Sequence, residues 1–296
     1  MYTRRTDLAL EARQLWQENA GRTTKLRGVA ARDSLREGIP VTTVEILDGE
    51  GEKALGKPRG RYITLTLEGV ERRAEDIFRR SVTALTKELS ELLSGVPEKG
   101  PVLVAGLGNR AITPDAVGPG VHGHILVTRH LVEQLPEHFG HLRPVASLAA
   151  EVLGNTGVES GAVVEAVCGE VKPLCVIAVD ALVSRSVERL CTTVQLTDTG
   201  IVPGSGVGNH RRALNRESLG IPVIAIGVPT VVEAGTLAAD LTGAAEPSRS
   251  VGGGDLLVTP KDIDRRVADL AKIIGYGINL ALQPGLTLEE LELLLS

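Results

Sequence analysis

Aromatic side chains are scarce in this chain of 296 residues: one Trp, three Tyr and two Phe, 2% of the total, against 43% apolar residues. A core must therefore be built from Val, Leu, Ile and Ala, the set that fills buried parallel strands and the helices covering them. Cysteine is scarce too. Cys168, Cys175 and Cys191 are odd in number and have no CxxC spacing, which argues against a disulfide framework or a zinc knuckle and for reduced, buried thiols. The chain also lacks a strong excess of basic charge. A formal net charge of -5 offers no electrostatic footprint for a phosphate backbone, so no direct nucleic-acid partner is expected. No run of about 18 apolar residues is free of Gly, Pro or charge, so no membrane partner is expected. The opening MYTRRTDLALEARQ has no apolar stretch of signal-peptide length, and the expectation is a cytoplasmic protein.

Strands and helices can be read from what is there. Leu8, Leu10, Leu15 and Trp16 recur at roughly helical spacing up to Asn19, with Gly21 as a stop. A polar segment runs on to about Pro40. VTTVEILD from Val41 and RYITLTLEG from Arg61 alternate like strands across a long Gly- and Lys-rich connection, as a hairpin or adjacent strands. Glu71 to Leu93 carries a 3.6-residue apolar repeat and predicts a long helix. Thereafter the pattern is strand, loop, helix, repeated: PVLVAGLG at Pro101, LCVIAVDAL at Leu174 and IPVIAIGVP at Ile221 are short apolar strands separated by helix-length segments. This predicts an α/β fold, a mostly parallel twisted sheet flanked by helices with an added small β element. Lys261 to Leu282 predicts a closing helix, and LTLEELELLLS an amphipathic one.

In open sheets of this kind functional groups sit just past the carboxyl ends of the strands. Asp180 ends the second strand directly, and Asp115 lies on the loop after the first. In GLGNRAITPDAVGPG the glycines let backbones approach closely, Thr113, Pro114 and Asp115 suit a helix cap, and GLGNRA is a degenerate dinucleotide fingerprint. A carboxylate at the end of an apolar strand is costly unless paired or used, although a turn or capping role also suits Asp180. Two carboxylates at neighbouring strand ends can share a proton, one serving as base for water and the other as acid, which is chemistry that hydrolyses an amide. TGIVPGSGVGNHRRAL is a glycine-rich loop ending in Arg211 and Arg212, which suit acidic substrate side chains or a solvated surface. His122 and His124 suit a metal only if both rings face one way, and no HExxH-like ligand set accompanies them.

Taken together, RTDLALEA, VTTVEILD, LGKPRGRYITLTLEG, GLGNRAITPDAVGP, NTGVESGAVVEAV, AVDALVSRS, GIVPGSGVGN, AIGVPTVVEA and INLALQPGLTLEEL resemble the germination protease family in order and spacing, over nearly the whole chain. The resemblance implies a fold similar to hydrogenase-maturation endopeptidases, a homotetramer, and an endopeptidase that initiates degradation of small acid-soluble spore proteins in the forespore and spore core. It implies cleavage after an acidic residue and before an apolar residue followed by Ala, from a self-processing zymogen. It places the essential aspartates in the TPDA and VDAL segments, at Asp115 and Asp180. Thr6-Asp7-Leu8-Ala9 resembles such a cleavage site, which makes residues 1–7 a propeptide cut between Asp7 and Leu8, and residues 8–296 a single peptidase domain. No cofactor is expected. A divalent metal on the carboxylate pair, as in the hydrogenase-maturation enzymes, is the alternative.

Overall fold

The computed structural model describes residues 6–20, 26–204, 212–242 and 256–296. Its strands are β1 (Val29–Arg36), β2 (Ile39–Ile46), β3 (Gly60–Thr66), β4 (Val102–Leu107), β5 (Val145–Ala150), β6 (Cys175–Ser184), β7 (Thr193–Thr197), β8 (Val223–Glu233) and β9 (Leu257–Val258). They form one sheet in the order β1-β2-β3-β7-β8-β6-β4-β5, with β9 against β8. From its edge at β5 inward, β5, β4, β6 and β8 run parallel. The three apolar strands expected from sequence are β4, β6 and β8, and they are neighbours. The added β element is continuous with this sheet, because β7 pairs antiparallel with β8 and carries β3, β2 and β1 beyond it.

The long connection between β2 and β3 folds as a short helix, Gly49–Leu55. Asp48 caps it by accepting the Glu50 and Gly51 N–H groups, and Gly56 ends it in the left-handed region at φ 64°. Two strong local signals inside a Gly- and Lys-rich stretch thus define a helix of about two turns. The segment before Pro40, polar and without period, is strand β1; its residues are mostly exposed, so nothing imposes the alternation by which a half-buried strand is recognised.

One face of the sheet carries the helices Ile77–Leu93 and Ile263–Leu282, the second of them at the predicted place. The first starts six residues later than its periodicity suggested, after a 3-10 turn at Val70–Arg72. Val104, Ile177, Val179, Ile224 and Ile226 meet Leu85, Leu89, Ile274 and Ile278 there in one continuous core. Burial of each such side chain contributes roughly 1.5–3 kcal/mol. The helix Ser160–Val171 covers the other face, where Leu103, Ala105, Val176, Ala178 and Val223 pack with Val164. The tail forms the helix Leu288–Leu294, started by a capping box between Thr287 and Glu290. No helix among the described residues is long and apolar enough to cross a membrane.

The strands end at different heights. The β4–β6 ladder stops at Gly106 and Val179, whereas β6 continues to Ser184 beside β8. A ledge is left at the carboxyl ends of the parallel strands.

Candidate active site at the strand ends

Asp180 stands on that ledge. Val176 and Ala178 of β6 point into the core under the helix Ser160–Val171, and the two-residue period of a strand turns Asp180 to the same face. The side chain is only 4% exposed. Oδ1 accepts the Ala181 N–H at 2.9 Å, and Oδ2 accepts the Gly204 N–H at 3.5 Å. Burial pushes its carboxyl up to about 7, the negative charge of Asp115 adds to that rise, and the two N–H donors oppose it.

Asp115 reaches the same place from β4 through close backbone contacts. Gly108, at φ +111°, turns the chain where an added Cβ would lie 2.1 Å from the Asp115 carbonyl oxygen. Thr113–Asp115 then forms a 3-10 turn leading into the helix Val117–His122. That helix lies directly on β4, since a Cβ at Gly118 would sit 2.2 Å from the Leu107 oxygen and 2.5 Å from the Val179 oxygen. Asp115 Oδ2 accepts the Asn109 N–H at 2.8 Å, while Asn109 Oδ1 accepts from Ala111 N–H and from Asn155 Nδ2. Because the atoms facing Gly118 are main chain and cannot swing away, Gly118→Ala is expected to cost about 1–3 kcal/mol by overpacking. Urea unfolding measures that loss.

Both carboxylates line one cleft of about 510 Å³, with Asn109, Ser160, Pro203, Gly204, Thr230 and Thr259 among its walls. Ile112 and Leu257 on its walls are large apolar side chains left exposed. No group of three or more His, Cys, Asp or Glu side chains converges among the described residues. Burial and the charge of Asp115 keep the Asp180 carboxyl from ionising easily, so two carboxyls in one cleft can divide the roles of acid and base. Such a pair can take a proton from water and return one to a leaving group.

The remaining sequence candidates divide. Arg212 forms a two-pronged ion pair with Glu165 on the helix Ser160–Val171, and Arg211 lies outside the described residues. His122 and His124 face different neighbours: Nδ1 of His122 meets Ser147 Oγ at 2.8 Å, and the His124 ring packs edge-on to Tyr276. All three cysteines are free, with Cys175 and Cys191 buried; burial raises their thiols to about 11 and about 12.

Asp7 and Leu8 are held against the sheet. The Asp7 N–H donates to the Val183 oxygen at 3.1 Å, and the Val183 N–H donates to Asp7 Oδ2 at 2.9 Å. The Asp7 carbonyl accepts from Lys57 Nζ at 2.9 Å and Gln195 Nε2 at 3.4 Å. Leu8 is fully buried, and the Ala9 N–H donates to Gln195 Oε1 at 2.8 Å. Lys57, Gln195, Asn109 and Glu11 escape a reading of the sequence, because each acts through partners distant in the chain or through a loop with no motif.

The fold and the cleft define an α/β protein that brings two carboxylates, Asp115 and Asp180, into one cleft at the carboxyl ends of parallel strands. A sequence profile of the germination protease family matches residues 9–243. The germination protease of Caldanaerobacter subterraneus subsp. tengcongensis is 45% identical over 98% of this chain and 98% of its own. That of Clostridium perfringens is 41% identical at the same coverage of both, and that of Bacillus velezensis is 39% identical over 94% of this chain and 93% of its own. The chain belongs to the germination protease family, a family of endopeptidases. Among solved structures, the [NiFe] hydrogenase maturation protease HycI from Thermococcus kodakarensis KOD1 aligns with a TM-score of 0.36 and 20% identity, over 64% of this chain and 98% of its own.

Proposed function

We propose that the chain initiates the breakdown of small acid-soluble spore proteins during germination, cutting after an acidic residue and before an apolar residue followed by Ala, with Asp115 and Asp180 as its catalytic pair. The observation that carries this reading is a buried carboxyl, raised to about 7, under the influence of a second carboxylate in the same cleft. Asp180 holds the shared proton and donates it toward the scissile carbonyl oxygen. Asp115, fixed by the Asn109 N–H, accepts a proton from the attacking water as the new C–O bond forms. Collapse of the tetrahedral intermediate breaks the C–N bond, the proton on Asp115 passes to the leaving amine, and a hydroxyl of the intermediate returns its proton to Asp180 as the new carboxyl forms.

The enzyme is made as a zymogen whose residues 1–7 are removed by its own cut between Asp7 and Leu8, leaving residues 8–296 as one peptidase domain. It works as a homotetramer in the cytoplasm of the forespore and spore core, without a resident cofactor. A second reading, a metal-dependent endopeptidase, draws support from the same two carboxylates as hard oxygen donors. Incubation of the full chain with a small acid-soluble spore protein, with fragments mapped by mass, tests the first. Cuts after Asp or Glu and before an apolar residue and Ala are expected, together with a mature chain beginning at Leu8. Asp115→Asn should yield no fragments. Fragments that vanish on chelation and return with a divalent cation would favour the second reading, and a mature chain starting elsewhere than Leu8 would overturn the proposed processing site.

A further inference from the structure

Beside the catalytic cleft lies a second cavity of about 350 Å³, lined by Asp7, Lys57, Tyr62, Gln195 and Gly227 among others. Leu182 is common to the walls of both cavities. The register explains how the two communicate. Asp180 of β6 stands opposite Gly227 of β8, which stands opposite Gln195 of β7, so the three share one face and one level of the sheet. Gly227 has no side chain, and an added Cβ would fall 2.3 Å from Leu182 Cδ1. Glycine there leaves room for Leu182, which lines both cavities.

Asp7 lies on the wall of the second cavity, followed by the buried Leu8 and by Ala9, the first residue of the helix Ala9–Ala20. Val183 exchanges two hydrogen bonds with Asp7, one through the main chain and one to the carboxylate. Lys57 and Gln195 both donate to the Asp7 carbonyl, and the Gln195 amide turns its oxygen to the Ala9 N–H. Lys57 is half-buried; burial lowers its pKa, and the nearby negative charges of Asp7 and Glu11 act against that. The Val183 N–H is the contact that reads the acidic side chain, while Lys57 holds the main-chain carbonyl of the same residue and adds positive charge beside it.

Resting on the proteolytic reading above, we infer that Lys57, Gln195 and the main chain of Val183 form the subsite for the acidic residue preceding a cut, and that Asp7 occupies it in the uncut chain. Departure of residues 1–7 frees the Val183 N–H and the Lys57 ammonium for the acidic residue of a substrate. The two arginines of the glycine-rich loop are then not needed for this selectivity, and Arg212 keeps its structural pairing with Glu165.

The test is a double-mutant cycle on self-cleavage of the full chain, read as the appearance of the mature N-terminus by mass. Asp7→Asn and Lys57→Met are each expected to slow the cut about tenfold or more, and the double variant by less than the product of the two, because both remove the attraction of opposite charges while only Lys57→Met also loses the bond to the Asp7 carbonyl. Lys57→Arg should recover part of the rate, and Arg212→Gln should leave it unchanged. On paired peptides differing only by Glu or Gln before the cut, the wild-type preference for Glu should shrink about tenfold in Lys57→Met. If Lys57→Met fails to fold, Lys57→Gln takes its place in the same cycle. Effects that multiply in the double variant, or a Lys57→Met chain as fast and as selective as wild type, overturn the subsite while leaving the protease intact. A wild-type chain that cuts neither itself nor either peptide sinks the proteolytic reading and the subsite with it.

Discussion

Asp180→Asn is expected to abolish measurable cleavage, by a factor of roughly 10²–10⁴, and at the same time to make the folded protein more stable at neutral pH. The two effects have one cause. Burial and the neighbouring Asp115 raise the Asp180 carboxyl from 3.8 to about 7, so the fold disfavours the ionised form. Below the unfolded value both states are protonated and there is no cost. As pH rises from about 4 to about 7 the unfolded chain releases its proton before the folded one does, and stability falls with each step. Above about 7 the cost is constant, on the order of 4 kcal/mol. Asparagine cannot ionise and removes this dependence, although its amide group must face a backbone N–H where a carboxylate oxygen stood, which returns part of the gain. Thermal melting at about pH 4.5 and 7.5 measures the outcome: the difference between variant and wild type should favour the variant increasingly as pH rises. A variant whose relative stability does not change between those two values would mean that Asp180 is ionised with ease, and the proton-sharing scheme would lose its acid.

Much of this site was legible in the residues, for physical reasons that particular positions illustrate. Asp180 could be read because an apolar strand ending in a charge is conspicuous, and Asp115 because the glycines and Pro114 after β4 announce a tight turn at the edge of a parallel sheet. The central strands β4, β6 and β8 were legible for the same reason: parallel strands buried on both faces are continuous apolar runs. Strand β1 was not, because its exposed residues carry no alternation. Strand β5, VASLAA, and strand β7, TVQLT, are too short and too mild in composition to stand out from their surroundings. The partners of Asp7 were equally hidden. Lys57 lies 50 residues away and Gln195 188, and nothing in a local pattern says that an antiparallel extension will fold a loop lysine back over the end of β6. The arginines of the glycine-rich loop were conspicuous as charge, yet Arg212 finds its carboxylate on a neighbouring helix.

Glu11→Ala is expected to be among the most destabilising single substitutions in the chain, at about 3–5 kcal/mol. Glu11 sits on the first helix, Ala9–Ala20, with no exposed surface. Its carboxylate accepts the Arg185 N–H at 2.8 Å, the Ser186 N–H at 3.1 Å, the Ser184 hydroxyl at 2.8 Å and Arg189 Nη1 at 2.8 Å, together with the Thr6 hydroxyl. Alanine strands all of these donors at once, including a guanidinium whose side chain is only 20% exposed. Glutamine keeps one acceptor oxygen but turns an NH₂ toward a donor, so the expected order in urea unfolding is wild type, then Glu11→Gln, then Glu11→Ala. The consequence extends to the site, because the groups bound by Glu11 are the end of β6 and the turn that follows it, four to six residues past Asp180. Releasing them loosens the Val183 main chain that holds Asp7, along with the buried Leu8 and Ala9. Glu11→Gln should therefore slow self-cleavage more than it slows hydrolysis of a peptide added in trans. Equal slowing of both reactions would assign Glu11 to stability alone, and a Glu11→Ala protein as stable as wild type would show that the first helix is anchored by its apolar contacts with Val44, Leu55 and Tyr62 instead.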